Sequence, residues 1–136
     1  MIFYNFVQYL RDQFPAETIY VSVRQKLATQ ESVPDRNILV RATGGINQPW
    51  FHFNQPTIQV ITRDVDSPNA LEMANNIFED LQTRIGLLLP AITVNGILYP
   101  AVQTAQISAI QSPSIIGVDD NGRVEYTTNY QIYLRE

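Results

Sequence analysis

The stretch that decides the fold is Val124-Glu125-Tyr126-Thr127-Thr128-Asn129-Tyr130-Gln131-Ile132-Tyr133-Leu134-Arg135. Val124, Tyr126, Thr128, Tyr130, Ile132 and Leu134 fall on one side of it, and Glu125, Thr127, Asn129, Gln131, Tyr133 and Arg135 on the other. A period of two, in a run rich in aromatic and β-branched residues, marks a half-buried antiparallel strand. Upstream, Asp119-Asp120-Asn121-Gly122 reads as a turn, Ile115-Ile116-Gly117-Val118 leads into it, Ser112-Pro113 is a break, and Val102 to Gln111 is a further strand. The chain is expected to end inside its own sheet as a long strand pair, which ties its terminus into a compact module.

Farther upstream the pattern alternates between helix and strand. Phe3, Phe6, Val7, Leu10 and Phe14 lie at helical spacing in Ile2 to Phe14, and Pro15 stops that helix. Ile19 to Val23 is a short strand, Gln25 to Pro34 a polar loop, Ile38-Leu39-Val40 a strand ending at Thr43-Gly44-Gly45, and Thr57 to Arg63 another after Pro56. A second helix is predicted from Pro68 to about Ile85, with Ser67 as N-cap, Pro68 at the first helical position and Gly86 at its end. Its apolar stripe is Ala70, Leu71, Ala74, Ile77, Phe78, Leu81 and Ile85. Ala91 to Val94 and Ile97 to Pro100 flank Asn95-Gly96, the strongest short hairpin signal, because both residues tolerate positive φ. The expected fold is α+β: a mainly antiparallel sheet packed by two amphipathic helices in a single domain over residues 1–136.

Composition narrows the function classes. With 45% hydrophobic and 16% charged residues, part of an uncharged surface is expected to face partners rather than water. The net charge of −4, with scattered Lys and Arg, forms no basic stripe and argues against direct, sequence-specific nucleic-acid binding. The absence of cysteine excludes disulfides, thiolate metal sites and cysteine nucleophiles. The longest apolar run, Leu87 to Ile92, contains Pro90 and is far shorter than the roughly 20 residues a membrane helix needs. A soluble protein with no membrane partner is expected. Arg11 and Asp12 interrupt Met1 to Phe14, which reads as a mature helix rather than a targeting segment.

Each candidate site has a plainer reading beside it. Asp119 to Gly122 offers oxygen ligands next to a glycine. Aligning Gly122 with the glycine of a calcium loop, however, puts Gly117 and Thr128 where two carboxylates belong, so a solvated turn is the better assignment. Asp64, Asp66 and Glu72 cluster near a helix start, where carboxylates answer the helix dipole, and no metal is assigned to them. His52 is the only histidine and has no recognisable nucleophile partner, and Gly44-Gly45 lacks the following lysine of a phosphate loop. No catalytic residue and no cofactor is assigned. Trp50-Phe51-His52-Phe53 stands out in a connection of about a dozen residues, since loops that long are usually functional or mobile. Trp50, Phe51 and Phe53 are candidate anchors for a protein partner; the alternative is a satellite core at one end of the sheet.

The order of these elements resembles the tail terminator or minor capsid (head-tail joining) proteins of long-tailed bacteriophages. The matching pieces are the N-terminal helix, Val40-Arg41-Ala42-Thr43-Gly44-Gly45, Pro56-Thr57-Ile58-Gln59-Val60 with Arg63, the helix Ala70 to Leu81, and the ending. In that ending Gln111-Ser112-Pro113, Gly117, Asp119 to Gly122 and the strand up to Arg135 look like the family's closing hairpin. The resemblance implies a homo-oligomeric ring, typically hexameric, at the head-proximal end of the tail. Such a ring stops tube polymerisation and offers a docking surface to head-completion and neck proteins. It implies contacts with the tail-tube protein, a place in the virion at the head-tail interface after assembly in host cytoplasm, and no catalysis. A head-closure or adaptor protein is the alternative within this class. A small ligand-binding domain or enzyme using Trp50 to Phe53 with His52 is the alternative outside it.

Overall fold

The computed structural model describes residues 2–22, 33–47 and 54–134. In chain order these form α1 (Ile2–Gln13), β1 (Ile19–Val21), β2 (Asn37–Asn47), β3 (Asn54–Asp64), α2 (Ser67–Leu81) and β4 (Thr83–Ile85). There follow β5 (Leu88–Leu89), β6 (Ile92–Val94), β7 (Ile97–Tyr99), β8 (Val102–Ala109), β9 (Ser114–Val118) and β10 (Val124–Leu134). The fold is α+β, with strand order β1-β2-β3-β10-β8-β4 in its main sheet. Only β1 and β2 pair in parallel; the other ladders are antiparallel.

The closing strand lies in the middle of this sheet. One edge of β10 pairs with β3 from Val124 to Gln131. Its other edge is shared: Val124 to Thr127 pair with β9, and Tyr130 to Leu134 pair with β8. The alternation holds, with Val124, Thr128, Tyr130 and Ile132 buried while the residues between them are half-buried. The expected strand pair is therefore three strands, in which β8 and β9 run along β10 in succession. Around Ser112-Pro113 the chain leaves the ladder between them, with Ile110 N–H reaching Asn129 O at 2.8 Å.

Both helices contribute to the core cluster on one face of the sheet. From α1, Phe3, Phe6, Val7 and Leu10 are buried as the spacing predicts, with Phe14 packed at the margin. From α2, Ala70, Ala74, Ile77 and Leu81 are buried, joined by Met73. Phe6 and Tyr130, each fully buried, stack at 6.3 Å between centroids; side chains of this size contribute about 1.5–3 kcal/mol each by leaving water. On the opposite face a smaller cluster of Tyr20, Leu39 and Ile61 is flanked by Val33.

Three element boundaries differ from expectation. The second helix ends at Leu81, and Thr83–Ile85 is a strand rather than the last helical turn. Gln82 N–H closes the helix on Phe78 O, and Gln82 O then accepts Ala109 N–H, handing the chain to β8. Thr83–Ile85 supplies partners that the outer edge of β8 would otherwise lack there, and the β-branched Thr83 and Ile85 suit a strand. At the other end Asp66, not Ser67, occupies the N-cap and makes no side-chain cap bond; Ser67 Oγ instead hydrogen-bonds the Tyr126 hydroxyl at 2.9 Å. Finally, β2 does not stop at Gly44-Gly45. A register shift between Ala42 and Gly45 absorbs one extra residue, and pairing resumes to Asn47 opposite Asn54. The Asn95-Gly96 hairpin forms as predicted, with φ of 52° and 78° at its two turn residues.

Candidate interaction surfaces

Charged side chains gather where β3 ends and β10 begins, and they are spent on structure. Arg36 bridges Glu17 at 2.7 Å and Asp64 at 3.5 Å, while Arg123 bridges Asp119 at 2.7 Å and Asp35 at 3.5 Å. The buried Arg63 donates to the backbone oxygens of Asp35 and Pro34, at 3.1 and 3.0 Å. These bonds clamp the segment before β2 onto β3 and the β9–β10 turn.

In that turn Asp119 Oδ1 accepts the N–H groups of Asn121 and Arg123, at 3.0 and 2.9 Å, and Oδ2 accepts Arg123 Nε. The Arg123 N–H, and after it the Arg123 side chain and the Asn121 N–H, hold this carboxyl below the usual aspartate range. Gly122 takes φ 75° to close the turn. Asp119 is thus a local turn organiser. Asp64 Oδ1 accepts Asp66 N–H at 3.4 Å, and among the described residues no three potential metal ligands, Asp64, Asp66 and Glu72 included, come together.

The apolar surface offers more. Ile115, Ile116 and Val118 of β9 are 57%, 52% and 62% exposed, and Ile110 just before it is also exposed. Beside them Ile116, Gly117, Val118, Asp119 and Glu125 line a shallow depression of about 260 Å³. A second apolar group comprises Ile97 and Leu98 on the β6–β7 hairpin, with Ile85 and Leu88 exposed on β4 and β5. The hairpin base is fixed by the buried Asn5, whose Nδ2 donates to Pro90 O, Tyr99 O and Pro100 O at 2.8, 3.3 and 3.0 Å. Sequence patterning alone does not mark β9 as a surface; its signal is Ile115-Ile116, two adjacent apolar residues of which regular strand alternation would send only one into a core.

A family model described as bacteriophage tail terminator protein matches residues 23–135. The chain belongs to this family. No curated protein matches it in a sequence search. The family is structural rather than enzymatic, so this tail terminator is a phage tail structural protein, a virion component whose role implies contacts with other tail or head proteins. Among the described residues no helix is long and apolar enough to cross a membrane. Trp50, Phe51 and Phe53, together with His52, lie outside the described residues; the last described pair before them is Asn47 opposite Asn54.

Proposed function

We propose that this tail terminator assembles into a homo-oligomeric ring, hexameric in the simplest case, at the head-proximal end of the tail. There it stops tube polymerisation and presents a docking surface to head-completion proteins. The observation that carries the reading is the family match over residues 23–135, and the exposed apolar surface of a weakly charged chain supports it. A protein that works by contact needs buried area and complementary shape, which Ile110, Ile115, Ile116 and Val118 can supply once covered. Trp50, Phe51 and Phe53 are proposed as anchors toward the tube or neck, since large aromatics carry most of the energy at protein interfaces.

Electron microscopy and light scattering of the protein alone and with purified tail tubes test this. The expected result is a ring on one tube end, with added protein arresting tube growth. A protein that stays monomeric, binds no tube and leaves tube length unchanged would overturn the proposal. Trp50→Ala with Phe53→Ala should weaken tube or neck binding while the far-UV spectrum stays unchanged; unaltered binding would remove these residues from the interface.

A further inference from the structure

The sheet has two short outer strands that match each other. Following partners across it, Ile19 is level with Ile38, Ile38 with Thr62, Thr62 with Tyr126 and Tyr126 with Ile115. The next row runs Tyr20, Leu39, Ile61, Thr127, Ser114. So β1 and β9 occupy the same rows at opposite margins of the run β1-β2-β3-β10-β9. Their directions are also fixed: one parallel ladder followed by three antiparallel ones makes β1 and β9 run opposite ways.

Each has an outer edge unpaired by any strand among the described residues. In β1, Thr18 O accepts Ile38 N–H and Ser22 N–H donates to Val40 O. The even-numbered residues therefore face β2, and the backbone groups of Ile19 and Val21 point away from it. In β9 the protections usual for an edge strand are thin: Ser114-Ile115-Ile116-Gly117-Val118 holds neither charge nor proline, although a bulge lies at Ile116. By contrast, β4 and β5 cover the outer edge of the collinear strand β8. The open position beside β9 is a strand-wide step in the sheet margin.

We propose that the outer edge of β9 is the docking site for the outer edge of β1 in a second copy of this chain, so that ring neighbours share one antiparallel sheet. This rests on the ring reading above and names the surface that closes it. Three features single out a copy as the occupant. Opposite strand directions give antiparallel pairing when neighbours are related by rotation about an axis along the strands. Matched rows let the next copy join without sliding along the strand, and a small offset favours a closed ring over an open helical filament. Charges also suit the contact: Asp120 borders β9, whereas Arg11 lies on the outer side of β1, where it donates to Ile19 O at 3.2 Å and must release that carbonyl for a docked strand; Asp119, also beside β9, is held by Arg123. Glu17, an acid near β1, is held by Arg36.

The experiment uses full-length protein, free and bound to purified tails. Ile116 has no partner on β10 and is exposed, so Ile116→Lys puts a charge on the edge without emptying the core. The expected result is an unchanged far-UV spectrum and thermal midpoint in dilute monomer, with the concentration for half-assembly raised roughly tenfold or more. The chain has no cysteine, which allows a positional check with Val21→Cys and Ile115→Cys. With a short bis-maleimide, the double variant should give a covalent ladder up to the ring, while each single variant gives none. Rings that survive Ile116→Lys and fail to cross-link would overturn the β1–β9 contact while leaving ring formation intact. Cross-linked dimers from Ile115→Cys alone would overturn it in favour of a two-fold β9 contact. Wild-type protein that is monomeric both free and on tails would overturn the ring reading, and the proposal with it.

Discussion

Two buried tyrosines show how similar side chains carry different energies. Tyr9 donates to Asp80 Oδ2 at 2.6 Å; burial first, then the bond and charge of Asp80, push its phenol well above the ordinary value and keep it a donor. Tyr130 is fully buried, and its hydroxyl, which interacts with the Thr128 side chain, makes no hydrogen bond of good geometry among the described residues. Tyr9→Phe removes a bond to a charged acceptor and should cost about 1.5–3 kcal/mol. Tyr130→Phe removes no well-formed bond and should lie within about 1 kcal/mol of wild type, on either side. Urea unfolding of the two variants checks the order, and a larger loss at Tyr130 would reveal a partner for its hydroxyl. Asp119 gives a pH prediction of definite sign. Its folded-state pKa lies below the unfolded value, so its contribution is present above the ordinary aspartate range and disappears as pH falls through the folded value. Protection of the Asn121 and Arg123 amides, measured relative to intrinsic exchange, should fall in the wild type as pH drops below the ordinary aspartate range and through the lowered folded value, and Asp119→Asn should remove that step.

At the scale of elements, the β6–β7 hairpin illustrates a strand pair held by two neighbouring side chains of α1, Asn5 through hydrogen bonds and Tyr4 through a ring contact with Tyr99 at 5.3 Å. It forms its own two-stranded sheet, which is marginal in isolation, and the three carbonyl acceptors of Asn5 tie its two ends to α1. Asn5→Ala leaves those buried carbonyls short of a donor, at a cost of about 1–3 kcal/mol. Hydrogen exchange should rise at Ile92 to Tyr99 more than in β3 or β10; a uniform rise would mean that Asn5 supports the whole core instead. Sequence patterning predicts the elements whose determinants are local: the alternation of β10, the stripes of α1 and α2, and the Asn95-Gly96 turn. It misses those set by distant partners. Ile85 continues the helical spacing from Leu81 but is 77% exposed on β4, because the open edge of β8 draws Thr83 to Ile85 out of the helix. The Gly44-Gly45 pair reads as a stop, yet a bulge opposite β3 carries the strand through it. For the interaction surface, the acidic turn is legible because Asp119 satisfies neighbours within four residues. The edge role of β9 is not, because it depends on which part of β8 and β9 is covered by β4 and β5.

The whole molecule joins a core lying mainly on one face of its sheet to an open sheet margin, and its stability should depend on how many copies are present. Any interaction available only to folded protein adds stability by mass action, reaching about 2.7 kcal/mol when the free partner is at 100 times its dissociation constant. If neighbours close on the β9 edge, unfolding must first release that contact, so the wild-type thermal midpoint should climb with protein concentration. The Ile116→Lys variant has a weakened edge, so its midpoint should rise much less over the same range and meet the wild-type value at high dilution. Scanning calorimetry over a hundredfold range of concentration, in moderate salt so that rim charges are screened, measures both curves. Parallel rising curves would show that assembly stabilises the fold through another surface, with the apolar β6–β7 hairpin the next one to mutate. Flat curves for both proteins would show that the free chain gains no folding stability from self-association in that range, leaving the tail end as the place where copies must meet.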